Sequence, residues 1–173
     1  MERELAAPLF IAEASSNHGR DLSRAKAFVD AAADAGCGAV KFQLFKIDRM
    51  FAPEILAKSP KHRARAEWEL PLSHLAPLAG HCRARNIQFS CTPFYLEAVA
   101  ELAPFVDFYK VASYELLVDD LLKACAHTGK PVVLSTGMAT LDEIQAAARC
   151  LRDARARDVT LLHCVSAYPT PAP

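Results

Sequence analysis

An α/β chain folding as an incomplete (β/α)8 (TIM) barrel, with about six of the usual eight strands, is what the sequence predicts. Apolar strand-like runs alternate strictly with helical patterns, which implies a parallel sheet covered by helices. Polar residues gather at the carboxyl end of nearly every such run, as barrel sites require, whereas a doubly wound sheet concentrates them at one switch point. The first run is followed by SSNHGRD and not by a glycine-rich phosphate loop.

The elements follow in order. Leu9 to Ala14 reads as a strand; Asp21 is then the N-cap of a helix with Leu22, Ala25, Val29 and Ala32 at helical spacing, and Gly36 stops it. A strand at Ala39 to Phe45 precedes a helix within Ser73 to Arg85, where Pro77 is tolerable only near the first turn. A strand at Ile87 to Cys91 and a short helix around Leu96 to Leu102 come next, then a strand at Phe108 to Ala112 and a helix at Asp119 to His127. A strand at Val132 to Ser135 leads to a helix opened by Thr140, with Glu143 three residues on as a capping box. A sixth strand is expected from Val159 to Val165.

With 173 residues, 52% of them hydrophobic and 23% charged, the chain is long enough to bury a sizeable core in one domain over residues 1–173. A full barrel takes about 250 residues, so the remaining strands are expected beyond Pro173. Six strands cannot close the ring. The chain alone is therefore expected to expose the edges of its first and sixth strands, to be poorly stable, and to be inactive.

The 20 basic residues balance the 20 acidic ones, so neither nucleic acid nor an anionic membrane is an expected partner. MERELAAPLF mixes charges of both signs before an apolar stretch too short for a signal peptide or a membrane span, and a cytoplasmic location is expected. The six cysteines form no CxxC pair, which argues against a zinc cluster or a disulfide scaffold and for reduced thiols.

The polar residues at the strand ends are Glu13, Asn17 and His18; Lys41 and Gln43; Thr92; Lys110, Ser113 and Glu115; Ser135 and Thr136; and His163, Ser166 and Tyr168. In a barrel they share one mouth and form an anion site with acid and base groups nearby. A lysine inside a buried strand needs a counter-charge or a bound anion to offset desolvation, so AVKFQ and FYKVAS point to phosphate or carboxylate binding. The alternative is a structural ion pair of each lysine with Glu13 or Glu115. Thr92, Ser113 and Ser135 are small hydroxyls suited to phosphate oxygens, although each alone also suits a turn or cap. His18 and His163 fit metal ligation, acid catalysis or plain hydrogen bonding, the last being the commoner role. The long segment from Lys46 to Leu70 reads either as a lid or as a surface excursion with Trp68 as its packing anchor.

The runs FIAEASSNHGRDL, AVKFQLFK, FSCTPF, YKVASYE, GKPVVLSTGMATLDEI and LLHCVSAYPTP resemble, in order, the motifs of the sialic acid synthase family, which includes N-acetylneuraminate, legionaminate and pseudaminate synthases. The resemblance implies a (β/α)8 barrel followed by a small antifreeze-like domain, of which this chain holds the amino-terminal part of the barrel. It implies a transferase that condenses phosphoenolpyruvate with an N-acetylated amino sugar and releases phosphate. Phosphoenolpyruvate binding falls on Lys41, Thr92, Lys110, Ser113 and Ser135, with Ser166 where many members have asparagine. Sugar contacts fall on Gln43, Glu115 and Tyr168, and Glu13 or Glu115 is the candidate proton-handling residue. The implied manganese or magnesium has its ligands beyond Pro173, and a homodimer is the implied assembly. Two other readings stand beside it: a non-catalytic fragment that at most binds anions, and a phosphate-substrate aldolase, which needs a Schiff-base lysine of depressed pKa.

Overall fold

A computed structural model describes residues 8–171. The charged opening weighed above as a leader lies, in residues 1–7, outside the described residues, as do residues 172–173.

The elements are β1 (Ile11–Ser15), α1 (Leu22–Asp34), β2 (Ala39–Leu44), α2 (Ile47–Met50), α3 (Pro53–Lys58), α4 (Pro60–Arg63), α5 (Leu75–Ala84) and β3 (Gln88–Pro93). They continue with α6 (Leu96–Leu102), β4 (Phe108–Val111), α7 (Asp119–His127), β5 (Val132–Ser135), α8 (Leu141–Asp153) and β6 (Val159–Leu162). All five strand pairings are parallel and the order is β1-β2-β3-β4-β5-β6. The reversal that marks a doubly wound sheet does not occur, so the open, in-order sheet is that of a partial (β/α)8 barrel.

Local chemistry sets the helix starts. The Asp21 carboxylate accepts the N–H groups of Ser23 and Arg24 at 2.7 and 3.2 Å, closing two of the orphan donors of α1. Thr140 and Glu143 form the capping box of α8, with Thr140 N–H donating to the Glu143 carboxylate at 2.7 Å. Pro77 occupies the first turn of α5, where its missing N–H has no intrahelical partner to lose.

The period of two divides the sheet into two faces. Val40, Phe42, Leu44, Phe89, Cys91, Tyr109, Val111, Val132 and Leu134 are buried in the core that joins the sheet to the helices. Tyr109 shows the direction: its hydroxyl donates to the Val99 carbonyl of α6 at 2.7 Å. The intervening positions, Lys41, Gln43, Thr92, Lys110 and Ser135, therefore face the concave side. Each large apolar side chain removed from water on the helix side contributes about 1.5–3 kcal/mol, which offsets the desolvation of polar groups on the other.

Two expectations need correction. Trp68 is 50% exposed, with the Arg65 guanidinium 5.8 Å from its ring, whereas Leu70 is 3% exposed, so Leu70 is the anchor of the long segment. That segment folds into three short helices and a 3-10 turn, tied down where Ile47 N–H donates to Glu69 at 2.8 Å and Arg20 reaches the Ala66 carbonyl at 3.1 Å. The sixth strand ends at Leu162 and not at Val165. The Leu162 carbonyl takes both the N–H and the hydroxyl of Thr136, at 3.1 and 2.9 Å, and the ladder stops there.

Candidate anion-binding active site

β1 and β2 pair with Glu13 opposite Lys41, and the two side chains form an ion pair. The register slips between Glu13 and Ser15, where Ser15 has a φ of 53°, a bulge of the kind that re-aims side chains at sites. Glu13 Oε1 also accepts the Ser15 N–H at 2.9 Å. Of the two counter-charges considered for the lysines, Lys41 takes Glu13. Lys110 forms no ion pair with Glu115; it donates to Ser135 Oγ at 2.6 Å and to the Val111 carbonyl at 2.9 Å.

The hydroxyls are primed as donors. Thr92 Oγ1 accepts from Lys41 Nζ at 3.4 Å. Ser135 Oγ accepts from Lys110 Nζ and, at 3.2 Å, from the Cys164 thiol. Ser113 Oγ accepts the Gly137 N–H at 3.1 Å. A hydroxyl that accepts from a neighbouring donor keeps its own proton to give. Three O–H groups and two ammonium groups thus face one concavity of about 140 Å³.

Glu13, Lys41, Gln43, Thr92 and Lys110 line this cavity, and so do Ser113, Ser135, Ser166 and Tyr168. Tyr168 is 95% exposed and so belongs to the rim. Glu115 does not line it. It borders a neighbouring cavity of about 390 Å³ with Arg49, Met50, Phe94, Tyr95, Leu96 and Val118. The reason is local: Ser113–Glu115 is a 3-10 turn of three residues per turn, so side chains two positions apart diverge.

Burial sets the charge states. Desolvation, followed by repulsion from Lys41, lowers Lys110 to about 8, against the opposing pull of Cys164, Glu13 and Glu115. Desolvation raises the Glu115 carboxyl to about 7, despite its backbone hydrogen bond and the attraction of Lys110, and its Oε2 is buried without a partner. Both groups exchange protons near neutrality, which suits acid–base work.

His18 is fully buried behind the site. Its Nδ1 accepts the Arg20 N–H at 2.9 Å and its ring lies 6.4 Å from that of Phe42, so it braces the loop after β1 and does not line the cavity. Desolvation and the nearby His74, Arg20 and Arg24 lower its pKa and keep it neutral. His163 is exposed. Among the described residues no three His, Cys, Asp or Glu side chains cluster as a metal site, so the residues present do not fit the divalent ion that the resemblance implies.

One lining residue, Cys164, and one residue behind the lining, Gly137, escape a reading of single residue types. Cys164 reads as a small apolar thiol, yet its Sγ reaches Ser135. Gly137 carries no side chain, yet its N–H orients Ser113. Their one sequence signal is proximity to Ser135 and Ser166 in the STG and CVS runs.

Comparison with known proteins shows the family and the fold. Residues 28–173 match the NeuB family. The N,N'-diacetyllegionaminic acid synthase of Campylobacter jejuni is 38% identical over 94% of this chain and 53% of its own length. The pseudaminic acid synthase of Helicobacter pylori is 33% identical over 96% of this chain and 52% of its own. The crystal structure of an N-acetylneuraminic acid synthetase from Leptospira borgpetersenii in complex with citrate superposes with a TM-score of 0.86 at 34% identity, over 95% of this chain and 57% of that one. The chain thus spans about half the length of the relatives it matches. A match over that much of its sequence, on the same fold, makes the chain a member of the NeuB family.

Proposed function

We propose that the protein condenses phosphoenolpyruvate with an N-acetylated amino sugar to give a sialic-type, nonulosonic acid and phosphate. The observation that carries this reading is the convergence of Lys41, Lys110, Thr92, Ser113 and Ser135 on one concave surface, with hydroxyls left free to donate. A substrate bearing a phosphate and a carboxylate matches two ammonium groups and three donors, and the desolvated setting strengthens each contact. The relatives named as synthases of legionaminic, pseudaminic and N-acetylneuraminic acids support the same class of product.

In this scheme the lysines and hydroxyls hold the enol phosphate while its terminal carbon attacks the sugar aldehyde. Positive charge develops at the carbon bearing the phosphate; water adds there, and the carbon–oxygen bond to phosphate then breaks. Gln43 and Tyr168, which line the cavity, contact the acceptor, and Glu13, ion-paired with Lys41 in the same cavity, handles the aldehyde or water proton, whereas Glu115 borders a different cavity. The divalent metal belongs to the same proposal, with ligands from outside the described residues, as does a homodimer. Six free cysteines support a reducing, cytoplasmic setting. Phosphate release from phosphoenolpyruvate by the complete protein, measured with and without N-acetylmannosamine or a diacetamido analogue, tests the reading. Release that needs the sugar supports it, and release indifferent to every sugar contradicts it.

One observation favours a second reading. A lysine lowered to about 8, as Lys110 is, has the property that a Schiff-base aldolase needs. Borohydride reduction in the presence of a carbonyl substrate decides: a covalent adduct on Lys110 supports the aldolase, and its absence leaves Lys110 as an anion ligand.

A further inference from the structure

Gly137 sits two residues after β5, in the turn before α8. It is not among the glycines of positive φ, so its backbone conformation does not call for glycine. The space around it does. A methyl group on its Cα would stand 2.4 Å from Ser166 Oγ, 3.0 Å from Ser113 Oγ and 3.3 Å from Cys164 Cβ. All three of those residues line the anion cavity.

The geometry points to Gly137 as a positioning residue of this site. Its bare Cα is the place where the hydroxyls of Ser113 and Ser166, from different strand-end loops, come together beside the cavity. Its N–H occupies one acceptor position of Ser113 and so turns the Ser113 proton outward as a donor. The inference rests on the reading that this cavity holds phosphoenolpyruvate.

The consequence separates affinity from stability. The first atom that a new methyl would meet is the tip of a serine side chain, which escapes by rotating about χ1 and leaves the backbone where it is. Rotation displaces the Ser166 hydroxyl, and the Ser113 hydroxyl, 3.0 Å from the new methyl, must shift as well, so two donors of the site lose their placing. A substitution at 137 therefore acts on anion binding more than on folding.

The test is titration calorimetry of the complete protein with phosphoenolpyruvate and, separately, inorganic phosphate, together with melting temperatures. Gly137→Ala should bind phosphoenolpyruvate at least about tenfold more weakly, since small displacements of positioning groups reach a hundredfold effects, and should melt as the unsubstituted protein does. Ser166→Ala alone should lose only a few-fold, the effect of one hydrogen bond. The double variant should bind more tightly than Gly137→Ala, because the nearest atom in the way, Ser166 Oγ at 2.4 Å, is gone. Unchanged binding by Gly137→Ala, a double variant weaker than Gly137→Ala, or a Gly137→Ala protein whose fold Ser166→Ala does not restore would each overturn the inference. Failure of the unsubstituted protein to bind phosphoenolpyruvate would instead remove the reading of the cavity, and this inference with it.

Discussion

Lys110 Nζ lies 2.6 Å from Ser135 Oγ on the neighbouring strand, and the same oxygen accepts the Cys164 thiol at 3.2 Å. A buried ammonium is therefore held by a neutral hydroxyl and a carbonyl, without a carboxylate of its own. Such a charge is stabilised by an incoming anion and strained without one.

The first prediction follows for Lys110→Met. Removing the cation should weaken phosphoenolpyruvate binding by about 2–4 kcal/mol, the usual loss when one partner of a buried charge pair goes. The same change should stabilise the unliganded protein near neutral pH by about 2–3 kcal/mol, read as a higher melting temperature, because it deletes a desolvated charge. Loss of both binding and stability would mean that Lys110 is a structural group.

The second concerns pH and Lys110. Its lowered pKa means that the unfolded chain binds more protons than the folded one between about 8 and 10.5. Stability from this group therefore rises with pH through that window and is absent below it. Anion affinity runs the other way, falling as pH rises past about 8 and the free site loses its charge. Calorimetry from pH 7 to 9.5 should show weakening in the unsubstituted protein and a flat profile in Lys110→Met.

The third concerns Glu115, whose carboxyl is raised from 4.5 to about 7. Between those values the folded chain binds more protons than the unfolded one, so stability from this group falls as pH rises through them. Glu115→Gln keeps the shape without the charge. Its melting temperature should match the unsubstituted protein near pH 4.5 and exceed it above pH 7; parallel curves would remove the case for a desolvated carboxyl.

The fourth separates the anchor of the long segment from its ornament. Leu70→Ala should cost about 2–5 kcal/mol in urea unfolding, as buried leucines do, whereas Trp68→Ala should cost about 1 kcal/mol or less, as exposed positions do. The reverse order would return Trp68 to the anchoring role.

What was legible in the sequence was what depends on neighbours along the chain. Asp21 and Thr140 announce their helices because a cap needs only the next two or three N–H groups. Lys41 and Lys110 announce the site because a charge among strand residues has no apolar explanation. The features that were not legible depend on chain segments brought together by folding. Gly137 matters through Ser113 and Ser166, 24 and 29 positions away, and nothing at a glycine records that. Glu115 shares a run with Ser113, yet a 3-10 turn sends it to another cavity. Leu162 ends β6 where Thr136, the residue after β5, takes its carbonyl twice.

A crystal structure of the complete protein with phosphoenolpyruvate tests the anion site most directly. The ligand's phosphate and carboxylate oxygens should lie within hydrogen-bonding distance of Lys41 Nζ, Lys110 Nζ and the hydroxyls of Thr92, Ser113 and Ser135. Phosphoenolpyruvate bound elsewhere, with Lys110 still held by Ser135 and the Val111 carbonyl alone, would contradict the assignment and leave these residues as the polar lining of a barrel.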